Sequence, residues 1–177
     1  MRRSWWEQRM ETKAILVDIG SCYGCMACEV ACKQEHNLDV GTHFIKVHEA
    51  GPWRIGGKLV MDYVPMTCRH CGRPACVEAC PEKAIFKRSD GIVLIREEKC
   101  TGCRVCMEAC PFGALRFLAG KNIVQKCDLC VQRVDQGRLP SCVHHCPTQA
   151  LTFGDPNQFS AQLQKRRAEK IAQERRS

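Results

Sequence analysis

Sixteen cysteines constrain this 177-residue chain more than any other feature. They form four runs of four, and the most regular run, CTGCRVCMEACP, extends from Cys100 to Pro111. Its C-x2-C-x2-C-x3-C-P spacing is typical of the ligands of an iron–sulfur cluster. The first three cysteines fit on one tight loop, whereas a helical step carries Cys110 about 6 Å further. The run therefore predicts a second run whose cluster Cys110 completes.

The other twelve cysteines form three variants of this run. Run one, CYGCMACEVACK, starts at Cys22 and has lysine in place of the closing proline. Run two, CRHCGRPACVEACP, starts at Cys68, and run four, CDLCVQRVDQGRLPSCVHHCP, starts at Cys127 with a much longer central spacer. Strand-like sequence follows the later runs, which indicates an internal repeat of ligand loop, short helix and strand.

Disulfides, zinc and iron–sulfur clusters compete to explain so many cysteines. Disulfides need an oxidising compartment, but charged residues rather than an apolar export signal follow the Arg2-Arg3 pair. Zinc sites usually pair two separated C-x2-C knuckles, whereas even spacing and closing prolines favour iron. We therefore expect a cytoplasmic iron–sulfur protein, or a periplasmic one exported together with a signal-bearing partner. No apolar stretch approaches the roughly 20 residues needed to span a membrane.

The formal charge of +8 would by itself suggest binding to nucleic acid. Four [4Fe–4S] clusters with their thiolates would contribute about 8− and bring the chain near neutrality. The excess of lysine and arginine is therefore interpreted as compensation for cluster charge, and no nucleic-acid partner is expected.

In this pattern the fourth cysteine of one run binds the cluster of another run, so the runs are expected to form pairs. Runs two and three are adjacent and form one two-cluster module, so runs one and four pair by exclusion. Four clusters are predicted: cluster 1 on Cys22, Cys25, Cys28 and Cys146; cluster 2 on Cys127, Cys130, Cys142 and Cys32; cluster 3 on Cys68, Cys71, Cys76 and Cys110; and cluster 4 on Cys100, Cys103, Cys106 and Cys80.

The predicted fold is α+β, with two bacterial-ferredoxin-like two-cluster modules of which the outer one is discontinuous. A hairpin insertion and a C-terminal helical tail complete it, and Trp53 at the bend of the hairpin is predicted to be a packing residue. The predicted parts are an N-terminal arm (1–13) with Trp5 and Trp6, the outer module (14–36 and 119–154), the hairpin insertion (37–60), the inner module (61–118) and a basic tail (155–177).

From about residue 14 to 155 the chain resembles the four-cluster, ferredoxin-like electron-transfer subunits of the dimethyl-sulfoxide-reductase type. Run two carries the resemblance, as does KCDLCVQRVDQGRLPSCVHHCPTQALTFGD with its long spacer and Pro140. The resemblance implies the same swapped ligation and a non-catalytic subunit that connects a molybdenum or tungsten pterin enzyme to a redox partner. The enzyme would be of the dimethyl-sulfoxide-reductase or aldehyde-oxidoreductase type, and the redox partner a membrane anchor, a ferredoxin or a flavoprotein.

No cysteine is left over for a catalytic site. His70 and the His144-His145 pair lie between ligands and are interpreted as structural groups or as hydrogen-bond donors to sulfur. Arg69, Arg73, Arg104 and Lys126 are candidates to raise cluster potentials, with solvated surface as the alternative. The alternative functions are a free-standing polyferredoxin, a hydrogenase or formate dehydrogenase electron carrier, and, more remotely, a zinc-stabilised interaction module.

Overall fold

Short antiparallel strand pairs and α-helices make up the part of the chain that the computed structural model describes, residues 13–175. The predicted N-terminal arm, with Trp5 and Trp6, lies outside these residues apart from Lys13. The strands are β1 (Ala14–Val17), β2 (Ile45–Ile55), β3 (Lys58–Thr67), β4 (Ile85–Lys87), β5 (Val93–Ile95), β6 (Leu115–Leu118), β7 (Ile123–Lys126) and β8 (Leu151–Gly154). The helices are α1 (Ala27–His36), α2 (Ala75–Glu78), α3 (Val105–Glu108), α4 (Val131–Asp135), α5 (Ser141–His144) and α6 (Pro156–Glu174). This mixture agrees with the predicted α+β class.

Closing prolines account for the lengths of the helices that carry cysteines. Helices α2, α3 and α5 have four residues each, and each ends two residues before a Cys-Pro pair. Proline disfavours helical backbone in the residue before it and removes an N–H donor. Lys33 stands in place of that proline in run one, and α1 continues for ten residues to His36.

The residue directly before the second cysteine of every run has a left-handed backbone. Its φ is 76° at Gly24, 45° at His70, 70° at Gly102 and 60° at Leu129. Glycine adopts this conformation freely, whereas other residues lose about 1–3 kcal/mol. The four runs therefore share a loop conformation as well as a spacing, even where the sequence offers histidine or leucine.

A second left-handed position follows each closing Cys-Pro pair. The third residue after the fourth cysteine has φ of 50° at Lys83, 54° at Gly113 and 55° at Gln149. Strands β4, β6 and β8 each begin two residues later. The predicted repeat of loop, helix and strand is thus confirmed in runs two, three and four, while run one departs from it because α1 continues.

Strand pairing joins the two distant segments of the predicted outer module. β1 pairs antiparallel with β8, with Ala14 opposite Gly154 and Val17 opposite Leu151, and α1 packs against α5. Around runs two and three, β4 pairs with β5, β6 pairs with β7, and α2 packs against α3. Each pair of cysteine runs is therefore held by its own helix contact.

Two strand ladders cross the predicted domain boundaries. β3 is continuous across residues 60 and 61, and the β6–β7 hairpin spans residues 118 and 119. The proposed boundaries were placed in stretches without cysteines. Backbone hydrogen bonds between the paired strands continue across them. The β2–β3 ribbon is thus one unit from Ile45 to Thr67, and the domain boundaries stay predictions.

Two apolar cores meet at the start of β5. The neighbouring residues Ile92 and Val93 are both fully buried, yet they belong to different cores. The larger core surrounds runs one and four and includes Ile45, Val47, Leu129 and Leu151; the smaller surrounds runs two and three and includes Ile85, Leu115 and Val124. The segment at Ile92 and Val93 therefore connects the two halves of the molecule.

The far end of the β2–β3 ribbon extends away from both cores. Trp53 is 52% exposed and Leu59 is 69% exposed, whereas Ile45 and Val47 at the base are buried. The prediction that Trp53 is a packing residue is wrong for the described residues, because the ribbon carries it beyond the reach of either core.

Candidate iron–sulfur centres

The structure brings the cysteines together in four groups of four, here called quartets 1 to 4 after the predicted clusters. Quartet 1 forms around Cys28 at the start of α1. Burial is the main cause that raises the pKa of Cys28, to about 12, and the negative charges of Glu29, Cys25, Cys146 and Cys22 raise it further. Cys146 belongs to run four, so quartet 1 contains the exchanged cysteine that the sequence predicted.

Quartet 2 is the most deeply buried of the four. Cys32, Cys127, Cys130 and Cys142 are each no more than 6% exposed. Burial, followed by the charges of Cys127, Cys32 and Cys130, raises the pKa of Cys142 well above its usual value. Burial and the charges of Cys127 and Cys130 likewise raise the pKa of Cys32, which comes from run one.

Quartet 3 lines a small cavity between α2 and the end of run three. Cys68, Cys71, Cys76 and Cys110 all face this cavity, together with Lys126. Burial raises the pKa of Cys76, the Lys126 charge lowers it, and the charges of Cys68, Cys110 and Cys71 raise it. Cys110 thus lies with the first three cysteines of run two.

Quartet 4 lines the corresponding cavity on the other side of α2 and α3. Cys80, Cys100, Cys103 and Cys106 face it. Burial raises the pKa of Cys106 to about 11, with further contributions from Cys80, Cys103, Cys100 and Cys76. Their assignment as cluster ligands stays a prediction, but the structure groups the sixteen cysteines as that prediction requires.

The quartets follow one another in a series. The charge of Cys28 in quartet 1 acts on Cys32 and Cys142 in quartet 2, and that of Cys68 in quartet 3 acts on Cys127 in quartet 2. The charge of Cys76 in quartet 3 acts in turn on Cys106 in quartet 4. These effects on pKa make quartets 1 and 2, 2 and 3, and 3 and 4 neighbours, which gives the order 1, 2, 3, 4.

The two ends of the series reach solvent. Cys25 in quartet 1 and Cys103 in quartet 4 are exposed, whereas all of quartet 2 is buried. The two end quartets are therefore the places where the series meets solvent, and quartet 2 is enclosed between them.

Backbone N–H groups donate to three of the sulfur atoms. Each N–H···Sγ distance is 3.4 Å, and the pairs are Val124 with Cys100, Leu129 with Cys127, and Ser141 with Cys130. Such hydrogen bonds stabilise negative charge on sulfur and raise the reduction potential of a bound cluster.

His36, at the end of α1, is a sulfur contact that sequence reasoning missed. Its Nε2 lies 3.5 Å from Cys130 Sγ and 3.4 Å from an Asp128 carboxylate oxygen. These three side chains are close enough to hold a metal ion, but Cys130 already belongs to quartet 2. The i, i+4 spacing of Cys32 and His36 on one helix face was the available signal.

His70, in contrast, was correctly singled out as a structural candidate. It is 3% exposed, and its Nδ1 accepts a hydrogen bond from the Val93 N–H at 2.9 Å. Burial and the nearby Lys126 charge lower the pKa of His70 to about 2, although a backbone interaction with Cys127 opposes them. Because Nδ1 accepts from Val93, the ring carries its proton on Nε2, whose interaction with the Cys127 backbone falls short of a full hydrogen bond among the described residues.

The remaining candidate residues make local contacts. His145 Nδ1 lies 2.9 Å from the Ser141 carbonyl oxygen, and its ring meets that of His144 edge to face. The Arg69 guanidinium lies over the Phe112 ring at 4.8 Å, and that of Arg104 lies over the Phe117 ring at 3.8 Å. Lys126 differs from these arginines because it is almost completely buried.

The donor sets fit [4Fe–4S] clusters. Each quartet offers four sulfur atoms, the number of thiolates that one such cluster takes. Closely grouped, buried thiols have raised pKa values, so a bound metal centre must displace their protons and then compensates the thiolate charges. Cys₄ zinc sites use the same donors, and metal analysis distinguishes the two.

Gly102, in the ligand loop of quartet 4, provides a test of the loop conformation. Its φ is 70°, and a Cβ at this position would overlap the backbone carbonyl of Asn122. We expect Gly102→Ala to reduce the iron bound at quartet 4, because backbone strain of about 1–3 kcal/mol adds to this clash. Iron analysis of protein purified without oxygen measures the effect. Gly120→Ala is the matched control, since nothing lies within 4 Å of its Cβ position, and an equal loss in both variants would contradict the prediction.

Among residues 13–175, no helix is both long enough and apolar enough to cross a membrane. The predicted compartment stays a prediction.

Comparison with known proteins gives matches that cover both halves of the chain. Two models described as 4Fe-4S dicluster domains match residues 59–156 and residues 21–84. The probable anaerobic dimethyl sulfoxide reductase chain YnfG of Escherichia coli is 40% identical over 145 residues, 78% of this chain and 71% of the relative. A putative dimethyl sulfoxide reductase iron-sulfur subunit of Halobacterium salinarum is 35% identical, covering 82% of this chain and 67% of the relative. A tetrathionate reductase subunit of Archaeoglobus fulgidus is 39% identical, covering 86% and 71%.

Proposed function

Because this chain belongs to the 4Fe-4S dicluster family of reductase iron–sulfur subunits, we propose that it carries four [4Fe–4S] clusters and conducts electrons for a separate catalytic subunit. That subunit is a molybdenum or tungsten pterin oxidoreductase. The electrons pass between it and a further redox partner, which is a membrane anchor, a ferredoxin or a flavoprotein. The relatives are named as subunits of reductases with different substrates. The catalytic partner, rather than this chain, therefore determines which substrate is reduced.

The serial order of the quartets is the observation that carries this proposal. A catalytic site needs groups that converge on one substrate position, whereas here the cysteines form four sites in a row with an exposed cysteine at each end. When bound, the clusters supply reversible one-electron oxidation and reduction. The chain itself holds the sulfur ligands in fixed order and excludes water from quartet 2.

A free-standing polyferredoxin is the second candidate. The same series of quartets would serve it, and the exposed cysteines at both ends suit two soluble partners equally well. The two functions differ only in whether a large subunit binds stably to this chain.

The function is tested by metal analysis and by purification of the native complex without oxygen. We expect brown protein with about sixteen iron atoms per chain that co-purifies with a large pterin-containing subunit. A colourless protein with about four zinc atoms would exclude iron–sulfur electron transfer. A brown monomer without a large subunit would favour the polyferredoxin instead.

A further inference from the structure

Lys126, the last residue of β7, is buried in a way that is unusual for a lysine. It is 2% exposed and is one of the largest fully buried side chains in the described part of the chain. Its Nζ donates hydrogen bonds to the carbonyl oxygens of Val93 and Cys127, the latter at 2.9 Å. Among residues 13–175, no carboxylate forms an ion pair with it. A buried lysine loses its charge unless negative charge lies near it.

The negative charge near Lys126 would come from the cysteine thiolates once clusters displace their protons. Lys126 directly precedes Cys127 of quartet 2, and it lines the same cavity as the four cysteines of quartet 3. Its side chain therefore lies between quartets 2 and 3. This is where the part built by runs one and four meets the part built by runs two and three. The only step in the series that joins one pair of runs to the other passes this lysine.

The surroundings fix the Lys126 ammonium in place. The Val93 carbonyl accepts from Lys126, while the Val93 N–H donates to His70. His70 Nδ1 is thus an acceptor, and the Val93 backbone joins this ring to Lys126. The segment at Ile92 and Val93 that connects the two cores also holds the lysine.

We propose that Lys126 is a positioning residue for electron transfer, an internal cation shared by the clusters of quartets 2 and 3. This inference deepens the proposed function and rests on it. The ammonium stabilises the more negative, reduced form of both clusters and so raises both reduction potentials.

The test replaces Lys126 by methionine, which removes the charge and retains most of the side-chain length. In the intact complex, a redox titration followed by electron paramagnetic resonance is expected to show lower potentials for two of the four clusters. The expected loss is about tenfold in each one-electron reduction equilibrium, which corresponds to 59 mV. The two clusters at the ends of the series should shift much less.

Lys121→Met is the matched control. Lys121 lies in the turn of the same β6–β7 hairpin, and its side chain is 65% exposed beside Glu97. Removing this solvent-screened charge should leave all four potentials unchanged. An equal shift in the Lys121 and Lys126 variants would overturn the proposal, since a general change in charge would explain it.

Lys126→Arg separates charge from packing. Arginine retains the positive charge, so four clusters with nearly unchanged potentials are expected. If the methionine variant loses iron while the arginine variant retains it, the requirement for a cation is supported. Unshifted potentials in the methionine variant, or equal loss of iron in both variants, would overturn it.

The wild-type complex is titrated first, so that failure of this inference is distinguishable from failure of the proposed function. Wild-type protein without four iron–sulfur clusters contradicts the proposed function. Wild-type protein with four clusters, combined with unshifted potentials in Lys126→Met, contradicts only the role of Lys126.

Discussion

Replacing Cys110 by serine is expected to remove the cluster of run two rather than the cluster of its own run. Cys110 faces the cavity of Cys68, Cys71 and Cys76, whereas Cys103, seven residues earlier, faces the cavity of quartet 4. Serine is a poor cluster ligand, so about one quarter of the bound iron should be lost from a four-cluster chain. Iron analysis and electron paramagnetic resonance of protein purified without oxygen measure that loss.

Double variants identify which cluster is affected. Cys110→Ser combined with Cys71→Ser should lose no more iron than either single variant, because both residues would serve the same cluster. Cys110→Ser combined with Cys103→Ser should lose about twice as much, because two clusters are then incomplete. The reverse pattern would show that each run binds its own cluster.

Loss of the Glu29 carboxylate is expected to destabilise the attachment of the β2–β3 ribbon to α1. Glu29 is 6% exposed and accepts hydrogen bonds from the Val47 N–H at 2.7 Å and from Lys46 Nζ at 3.3 Å. Glu29→Ala leaves the buried Val47 donor unpaired, which lowers stability by about 2–3 kcal/mol. The thermal unfolding midpoint of the iron-loaded protein should fall by roughly 4–12 °C.

Two variants serve as controls for Glu29. Glu49→Ala removes an exposed carboxylate from β2, the strand that carries Val47, and should change stability by less than about 0.5 kcal/mol. Glu29→Gln retains an acceptor for Val47 and should have an intermediate effect. An unfolding midpoint unchanged in Glu29→Ala would show that this contact does not hold the ribbon.

The local structure around the cysteines could be predicted because it is set by nearby residues. The closing prolines end α2, α3 and α5, and the lysine at position 33 allows α1 to continue. The strand after each Cys-Pro pair was also predictable, since alternating apolar residues follow a turn. By contrast, the exposure of Trp53 was not, because a tryptophan beside a turn has the same sequence signature whether it packs or reaches solvent.

The sequence by itself determined the number of cysteines and their division into four runs, and it predicted the exchange of closing cysteines between paired runs. These follow from the spacing of the cysteines along the chain, because the number of residues between two cysteines limits how far apart they can lie. Only the tertiary structure decided the serial order of the quartets, the contact of His36 with Cys130 and the position of Lys126 between quartets 2 and 3. These arrangements come from long-range packing, such as the pairing of β1 with β8 and the packing of Ile92 and Val93 into different cores. Such contacts join residues far apart in the chain, and local sequence patterns do not predict them.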